Sequence, residues 1–220
     1  MREIFEAELH QLGTDLTTMS QQVEVAIRDA GRALQTADLQ LAESVIVADE
    51  AIDALERELD TRCVHLLAQQ APVAGDLRVV VTSLRMSATL ERMGDLARHI
   101  AQVSRRGYPR VAIPQAVSGT FAEMNDAAVR VAERTTQLLR TRDLDLATSI
   151  EHDDEIIDRL HEETFTAILG GNWNGTPQET VDTTLLSRYY ERFGDHGVSI
   201  ARRMVFLVTG GHIAGAHTTA

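Results

Sequence analysis

The sequence predicts an all-α protein made of two tandem, similar three-helix bundles, over residues 1–107 and 114–209, with a flexible tail over 210–220. Three observations lead there. Apolar residues recur at alternating steps of three and four through long stretches. All four prolines fall in connectors or at a first helical turn. A block of residues around Leu34 to Asp53 returns in the second half of the chain.

The first helix reads from its seam: Phe5, Leu9, Leu12, Leu16, Met19, Val23, Ile27, Ala30 and Leu34. Thr36-Ala37-Asp38 interrupts it, and Asp38 is a good N-cap for a second helix with its seam at Leu41, Val45, Ala48, Ile52, Leu55, Leu59, Cys63 and Leu66. Cys63 is in register with that seam and reads as core filler. Pro72 and Gly75 mark the next turn, and a third helix is expected from about Asp76 to Arg106, with Val79, Met86, Leu90, Met93, Ala97 and Ile100 inward. Gly107, Pro109 and Pro114 make a break. The pattern then restarts at Val117, Phe121, Met124, Ala128, Val131 and Leu138, and Thr141-Arg142-Asp143 echoes the earlier Thr-x-Asp. A fifth helix is expected from Asp143 to about Leu169. Thr176-Pro177-Gln178-Glu179 spells a capping box for the sixth, which should run to about Thr209. His212 and His217, in the tail, are read as frayed chain rather than ligands.

The repeat carries the chemistry. Asp49-Glu50, Ile52 and Asp53 return as Asp154-Glu155, Ile157 and Asp158. Further on, Glu91-Arg92-Met93-Gly94-Asp95 returns as Glu191-Arg192-Phe193-Gly194-Asp195. In each copy two acids stand four residues apart, hence about 40° apart around a helix and roughly 6 Å apart along it. Like charges so placed repel by a few tenths of a kcal/mol, and a Gly inside a helix costs about 1 kcal/mol relative to Ala. Both costs recur at matching places, so something is expected to offset them. Neighbouring helices can gather the acids into two oxygen-rich groups at a polar rim: Asp49, Asp53, Glu91 and Asp95, and their copies Asp154, Asp158, Glu191 and Asp195. Hard donors of this kind suit Mg²⁺, Mn²⁺ or iron better than a thiolate-seeking metal. The competing account is ion pairing. Asp53 with Arg57 and Asp95 with Arg98 have intrahelical spacing, and Arg78, Arg85 and Arg92, seven apart, form a stripe that can face acids.

Composition excludes more than it assigns. With 33 Asp and Glu against 21 basic residues the net charge is −12, which argues against nucleic acid as a partner. Every basic residue is Arg, so there is no P-loop lysine, Schiff-base lysine or Ser-Lys pair. One cysteine rules out an internal disulfide, and no apolar run approaches the ~20 residues of a membrane span, so the protein reads as cytosolic. His99 and His196 beside the motif copies read as interhelical or surface groups. His161, three residues after Asp158, gives a single Asp-x-x-His where di-iron bundles need two Glu-x-x-His.

The tandem bundles, the run Ala68 to Arg78 (Ala-Gln-Gln-Ala-Pro-Val-Ala-Gly-Asp-Leu-Arg) and the two Glu-Arg-x-Gly-Asp motifs together resemble the PhoU family of phosphate-uptake regulators, over essentially the whole chain to about residue 209. The resemblance implies a non-enzymatic cytosolic adaptor between the Pst phosphate transporter's ATPase subunit and a PhoR-type sensor histidine kinase, restraining the phosphate-starvation response and touching the membrane only through partners. It leaves a homodimer open. It also implies metal ions (iron, or Mg, Mn or Zn) on Asp49, Asp53, Glu91 and Asp95 and on Asp154, Asp158, Glu191 and Asp195. The family often continues its motif with His and, three residues later, Asn. Here the first copy has Leu96 and His99, and the second keeps His196 but has Ser199. The rival classes are a ferroxidase-like or hydrolytic metalloenzyme on the same carboxylates, and a metal-free helical scaffold.

Overall fold

A computed structural model describes residues 2–211. It contains α1 (Arg2–Thr36), α2 (Leu39–Gln70), α3 (Ala74–Gly107), a 3₁₀ turn (Gln115–Val117), α4 (Ser118–Thr141), α5 (Asp145–Leu169) and α6 (Pro177–Thr209). The expectations for His212 and His217 and for most of the tail lie outside the described residues.

The duplicated Thr-x-Asp segments do the same job twice. In each, the middle residue turns the chain in the left-handed region, Ala37 at φ 53° and Arg142 at φ 58°. The following aspartate then catches free amides. Asp38 accepts from Leu41 N at 3.0 Å and starts α2, and Asp143 Oδ1 accepts from Asp145 N at 3.2 Å. The capping box of α6 is formed as the sequence spells it: Thr176 accepts from Glu179 N, and Glu179 returns to Thr176 N at 2.7 Å.

Apolar seams close each half on itself. Met19, Ile27, Ile52, Leu59, Met86, Leu90 and Met93 are fully buried in the first, and Phe121, Met124, Val131, Ile150, Ile157, Tyr190 and Phe193 in the second. Cys63 is buried, and that burial raises its thiol pKa to about 11, so it is core filler. Two seam assignments shift by one residue. Val80 rather than Val79 is buried, and α2 turns Asp49 inward while Ala48 faces solvent. Asp49 completes the step from Val45 to Ile52 as well as Ala48 does, and what admits a carboxylate there lies on another helix.

The halves join along α1 against α4 and α3 against α6. As positions on α3 rise from Arg78 through His99 to Arg106, their contacts on α6 fall from Phe206 through Tyr189 to Asp182, so the two helices run antiparallel. Ser20 and Thr136 share a buried hydroxyl hydrogen bond of 2.9 Å across α1 and α4, and Arg28 reaches Glu133 at 2.9 Å. This joint leaves α2 and α5 on the two flanks. Each lies against the Glu-Arg-x-Gly-Asp helix of its own half.

Candidate functional site

The glycine in each motif answers the cost noted from sequence. A Cβ on Gly194 would fall 2.2 Å from Asp154 Oδ1, and one on Gly94 would fall 2.9 Å from Ile52 Cδ1 and 3.2 Å from Asp49 Oδ1. A real side chain does not tolerate such distances. The glycine is a notch that seats Asp154 against α6 in the second half and Ile52 together with Asp49 against α3 in the first, and the roughly 1 kcal/mol of helix propensity is given up for that approach.

In the first half, Asp49 is 6% exposed. Arg98 serves it and Asp95 together: its Nε lies 2.6 Å from Asp49 Oδ2, and its Nη2 donates to Asp95 Oδ1. The Nε contact neutralises charge without an aligned hydrogen bond, because both that Nε–H and Asp49 Oδ1 are buried without a hydrogen-bond partner among the described residues. Burial raises the Asp49 pKa to about 6, with Asp53 and Asp95 adding to the rise and Arg98 opposing it. Glu91 is raised as well, by burial first and then by Asp95 and Asp53.

The second half differs at one decisive place. Aligned on the motif, Val198 stands where Arg98 stands in the first copy. Asp154 therefore has no guanidinium of that kind, and its Oδ1 is buried and without a hydrogen-bond partner among the described residues. Its pKa rises to about 7, through burial first and then the charges of Asp158, Asp195 and Glu191, with Arg202 opposing. Glu191 takes Arg188 on Oε1, and its Oε2 is buried without a hydrogen-bond partner among the described residues. Burial and Asp195 raise both Glu191 and Asp158.

All eight predicted carboxylates thus fall into two groups that feel one another's charge; the solvent-facing rim is corrected at Asp49, which is buried, while Asp154 is half-buried and Asp158 and Asp195 are exposed. Among the described residues no three Asp, Glu, His or Cys side chains converge closely enough to hold a metal ion as they stand. A metal needs oxygen donors short of protons and partners. Asp154 Oδ1 and Glu191 Oε2 in the second group and Asp49 Oδ1 in the first are buried without a hydrogen-bond partner among the described residues, and in the first group the Arg98 cation already offsets part of the negative charge. Of the two predicted intrahelical ion pairs, Asp95 with Arg98 is present, and no Asp53–Arg57 pair occurs among the described residues. The histidines are interhelical. His99 packs on Tyr189 with ring centroids 5.2 Å apart, and His196 Nε2 is buried without a partner among the described residues. His161 Nδ1 bonds Ser187 Oγ at 2.6 Å.

Two buried acids escaped the sequence reading: Asp182, 7% exposed, which accepts from Arg106 Nη2 and Gln178 Nε2, each at 2.9 Å, and Asp153. Asp153, 2% exposed, is clamped by Arg130 Nε at 2.8 Å and by Arg134. Its signal was present: Asp153-Asp154 replaces Ala48-Asp49 of the first copy, and Arg130 and Arg134 share one face of α4.

A family model for the PhoU domain matches twice, at residues 16–104 and 121–204. The chain belongs to the PhoU family. It is 41% identical over 210 residues to the phosphate-specific transport system accessory protein PhoU homolog 2 of Mycobacterium tuberculosis, covering 96% of this chain and 99% of that protein. Homolog 1 of Mycobacterium leprae is 39% identical, with 96% and 95% covered. The fold matches the crystal structure of PhoU from Pseudomonas aeruginosa with a TM-score of 0.81 at 28% identity, covering 94% of this chain and all of that one. The PhoU phosphate transport system regulatory protein of Streptococcus pneumoniae gives 0.82 at 25% identity, with 95% and 99% covered. The PhoU domain's two occurrences coincide with the two halves of the duplicated helical bundle.

Proposed function

We propose that this PhoU protein restrains phosphate uptake and phosphate-starvation signalling by binding rather than by catalysis, as a cytoplasmic adaptor between the ATPase subunit of the phosphate ABC transporter and a PhoR-type sensor histidine kinase. The observation that carries this reading is the end-to-end match to accessory proteins of the phosphate-specific transport system. The molecule's character supports it. No helix among the described residues is long and apolar enough to cross a membrane, so contact with a transporter runs through a protein surface. A net charge of −12 favours basic partner patches, and such complementarity acts mainly on association rate and partner choice.

Metal ions belong to the same proposal. Asp154, Asp158, Glu191 and Asp195 would hold a hard cation such as Mn²⁺, Mg²⁺ or iron. When bound it supplies the positive charge those four carboxylates lack. Asp49, Asp53, Glu91 and Asp95 would do so only after Arg98 gives way.

Deleting the gene together with any paralogue is expected to switch on phosphate-starvation genes in phosphate-rich medium, read as alkaline-phosphatase or transporter-operon reporter activity. Reintroducing the wild-type chain should restore repression. Normal repression in the deletion strain refutes the regulatory reading, and a purified protein that turns over a phosphorylated substrate refutes the non-catalytic part of it.

A further inference from the structure

The joint between the halves leaves a groove of 840 Å³ between α3 on one side and α5 and α6 on the other. Arg78 and Arg85 of α3 and Arg202 and Arg203 of α6 line it. Only Arg202 has a carboxylate partner among the described residues, Glu151 at 3.4 Å. Arg78 lies over the Phe206 ring, 5.8 Å from its centroid, and its Nε is buried without a hydrogen-bond partner among the described residues. Arg203 Nε is equally unpartnered. Burial first, and then the facing Arg85, hold its guanidinium below the usual arginine range. In a chain with 33 acids, Arg78, Arg85 and Arg203 standing without a carboxylate partner among the described residues are an imbalance that an anion relieves.

The backbone adds to the same end of the groove. α3 begins at its lip, where Ala74 and Gly75 line the wall, and the extended Val73 before them supplies no side-chain cap. The positive end of this 34-residue helix lies at the arginine end, with Asp76 in its first turn and the Asp76 amide already donating to Val73 O at 3.2 Å. Leu77, Val81, Val198 and Phe206 give the groove an apolar wall. Asp195, three helical turns back along α6 from Phe206, and Asp154 close the far end, which sets a length of roughly 16 Å. A volume within the range of small-molecule sites is much more than one phosphate ion needs. The closed acidic end and the acidic surface beyond disfavour a nucleic acid polymer.

We propose that this groove binds a small phosphate-bearing molecule, free phosphate or a phosphate ester, with the phosphate held by Arg78, Arg85 and Arg203 beside the α3 N-terminus. Arg presents planar paired donors suited to phosphate oxygens, and an ester's organic part has the apolar wall to lie on. Because α3 comes from one half and α5 and α6 from the other, the occupant braces the two halves against each other. The inference deepens the regulatory reading and rests on it for its meaning, since a phosphate-bearing ligand is a direct report of phosphate supply. The binding itself is independent of that reading.

The test is isothermal titration of the purified full-length protein, stripped of metal, with inorganic phosphate, adenosine 5′-monophosphate and, as a phosphate-free acidic control, hexaglutamate. Saturable binding of at least one phosphate compound is expected, weakened by salt and weakened at least about tenfold in the double variant Arg78→Gln, Arg85→Gln. Tighter binding of the ester assigns the apolar wall, and equal binding assigns free phosphate as the source. Leu77→Trp, on the exposed rim, blocks the groove without removing a charge and is expected to weaken binding while helical circular dichroism stays unchanged. Absence of saturable binding at millimolar phosphate and ester, undiminished binding in both variants, or hexaglutamate binding as tightly as the phosphates overturns the proposal. If the gene deletion derepresses phosphate-starvation genes while these titrations fail, this inference falls and the regulatory reading stands.

Discussion

At pH 8, Mn²⁺ at a hundred times its dissociation constant is expected to stabilise the wild-type protein by about 2.7 kcal/mol, and the variant Asp154→Asn, Glu191→Gln by almost nothing. The argument is proton competition. Burial, helped by three neighbouring acids, raises Asp154 to about 7 in the folded protein, against its ordinary value of 3.8. A carboxyl raised on folding contributes stability that is fully present below its unfolded pKa and is lost as pH rises through its folded one. The metal-free protein should therefore melt at a higher temperature at pH 5 than at pH 8, with most of the change falling between pH 5 and the folded pKa of about 7. Asp154→Asn should flatten that slope. A metal reverses the sign, because it binds the ionised carboxylate and offsets at pH 8 the repulsion that protons relieve at pH 5. The stabilisation by Mn²⁺ should accordingly shrink from pH 8 to pH 6. In elemental analysis after dialysis, Asp49→Asn with Glu91→Gln should retain the metal that Asp154→Asn with Glu191→Gln loses. Arg98→Val, which gives the first group the residue of the second, should raise the metal content. Equal metal in the wild type and in a variant lacking all eight carboxylates would sink the metal proposal altogether.

That asymmetry is where sequence and structure part company. The helices, both Thr-x-Asp turns and the capping box were legible because each is a local agreement: a seam of one period, an acceptor beside free amides, a proline where no donor is needed. The pairing of Asp49 with Asp53 and of Glu91 with Asp95 was legible for the same reason, as was the cost of the motif glycine. Its cause was not, because the aspartate that fills the notch sits on another helix some forty residues away in the chain. The inward turn of Asp49 was missed likewise. A polar residue on a seam reads as solvent-facing until Arg98 and Gly94, from α3, are seen to accommodate it. The spacing of Arg78, Arg85 and Arg92 leaves open a stripe that can face acids, within the competing account of ion pairing. Arg78 and Arg85 instead line a groove with Arg202 and Arg203, because α3 has a second neighbour. The antiparallel meeting of α3 with α6 carries no periodic signature of its own, since each helix already shows one seam to its own bundle.

Gly197→Val is expected to lower stability by about 3 kcal/mol, the upper end of what overpacking a core costs. A Cβ at position 197 would fall 2.3 Å from Val131 Cγ1, with Ile150 Cγ2 at 3.6 Å and Thr135 Oγ1 at 3.8 Å. Val131 and Ile150 are fully buried and β-branched, so they have little rotamer freedom with which to retreat, and α4 and α6 must move apart instead. Val in place of Gly gains some helix propensity, but only a few tenths of a kcal/mol, too little to compensate. The first half has Ala97, fully buried, at the matching place, so the demand for glycine belongs to the α4–α6 contact rather than to the repeat. For a chain of this size the melting temperature should fall by roughly 6–12 °C in a metal-free thermal melt. Gly197→Ala, which recovers about 1 kcal/mol of propensity while keeping the first clash, should lie between the two. A valine variant melting within a degree of wild type would mean that α4 and α6 separate at this level without cost, and that the second half is not packed as tightly as its buried seam requires.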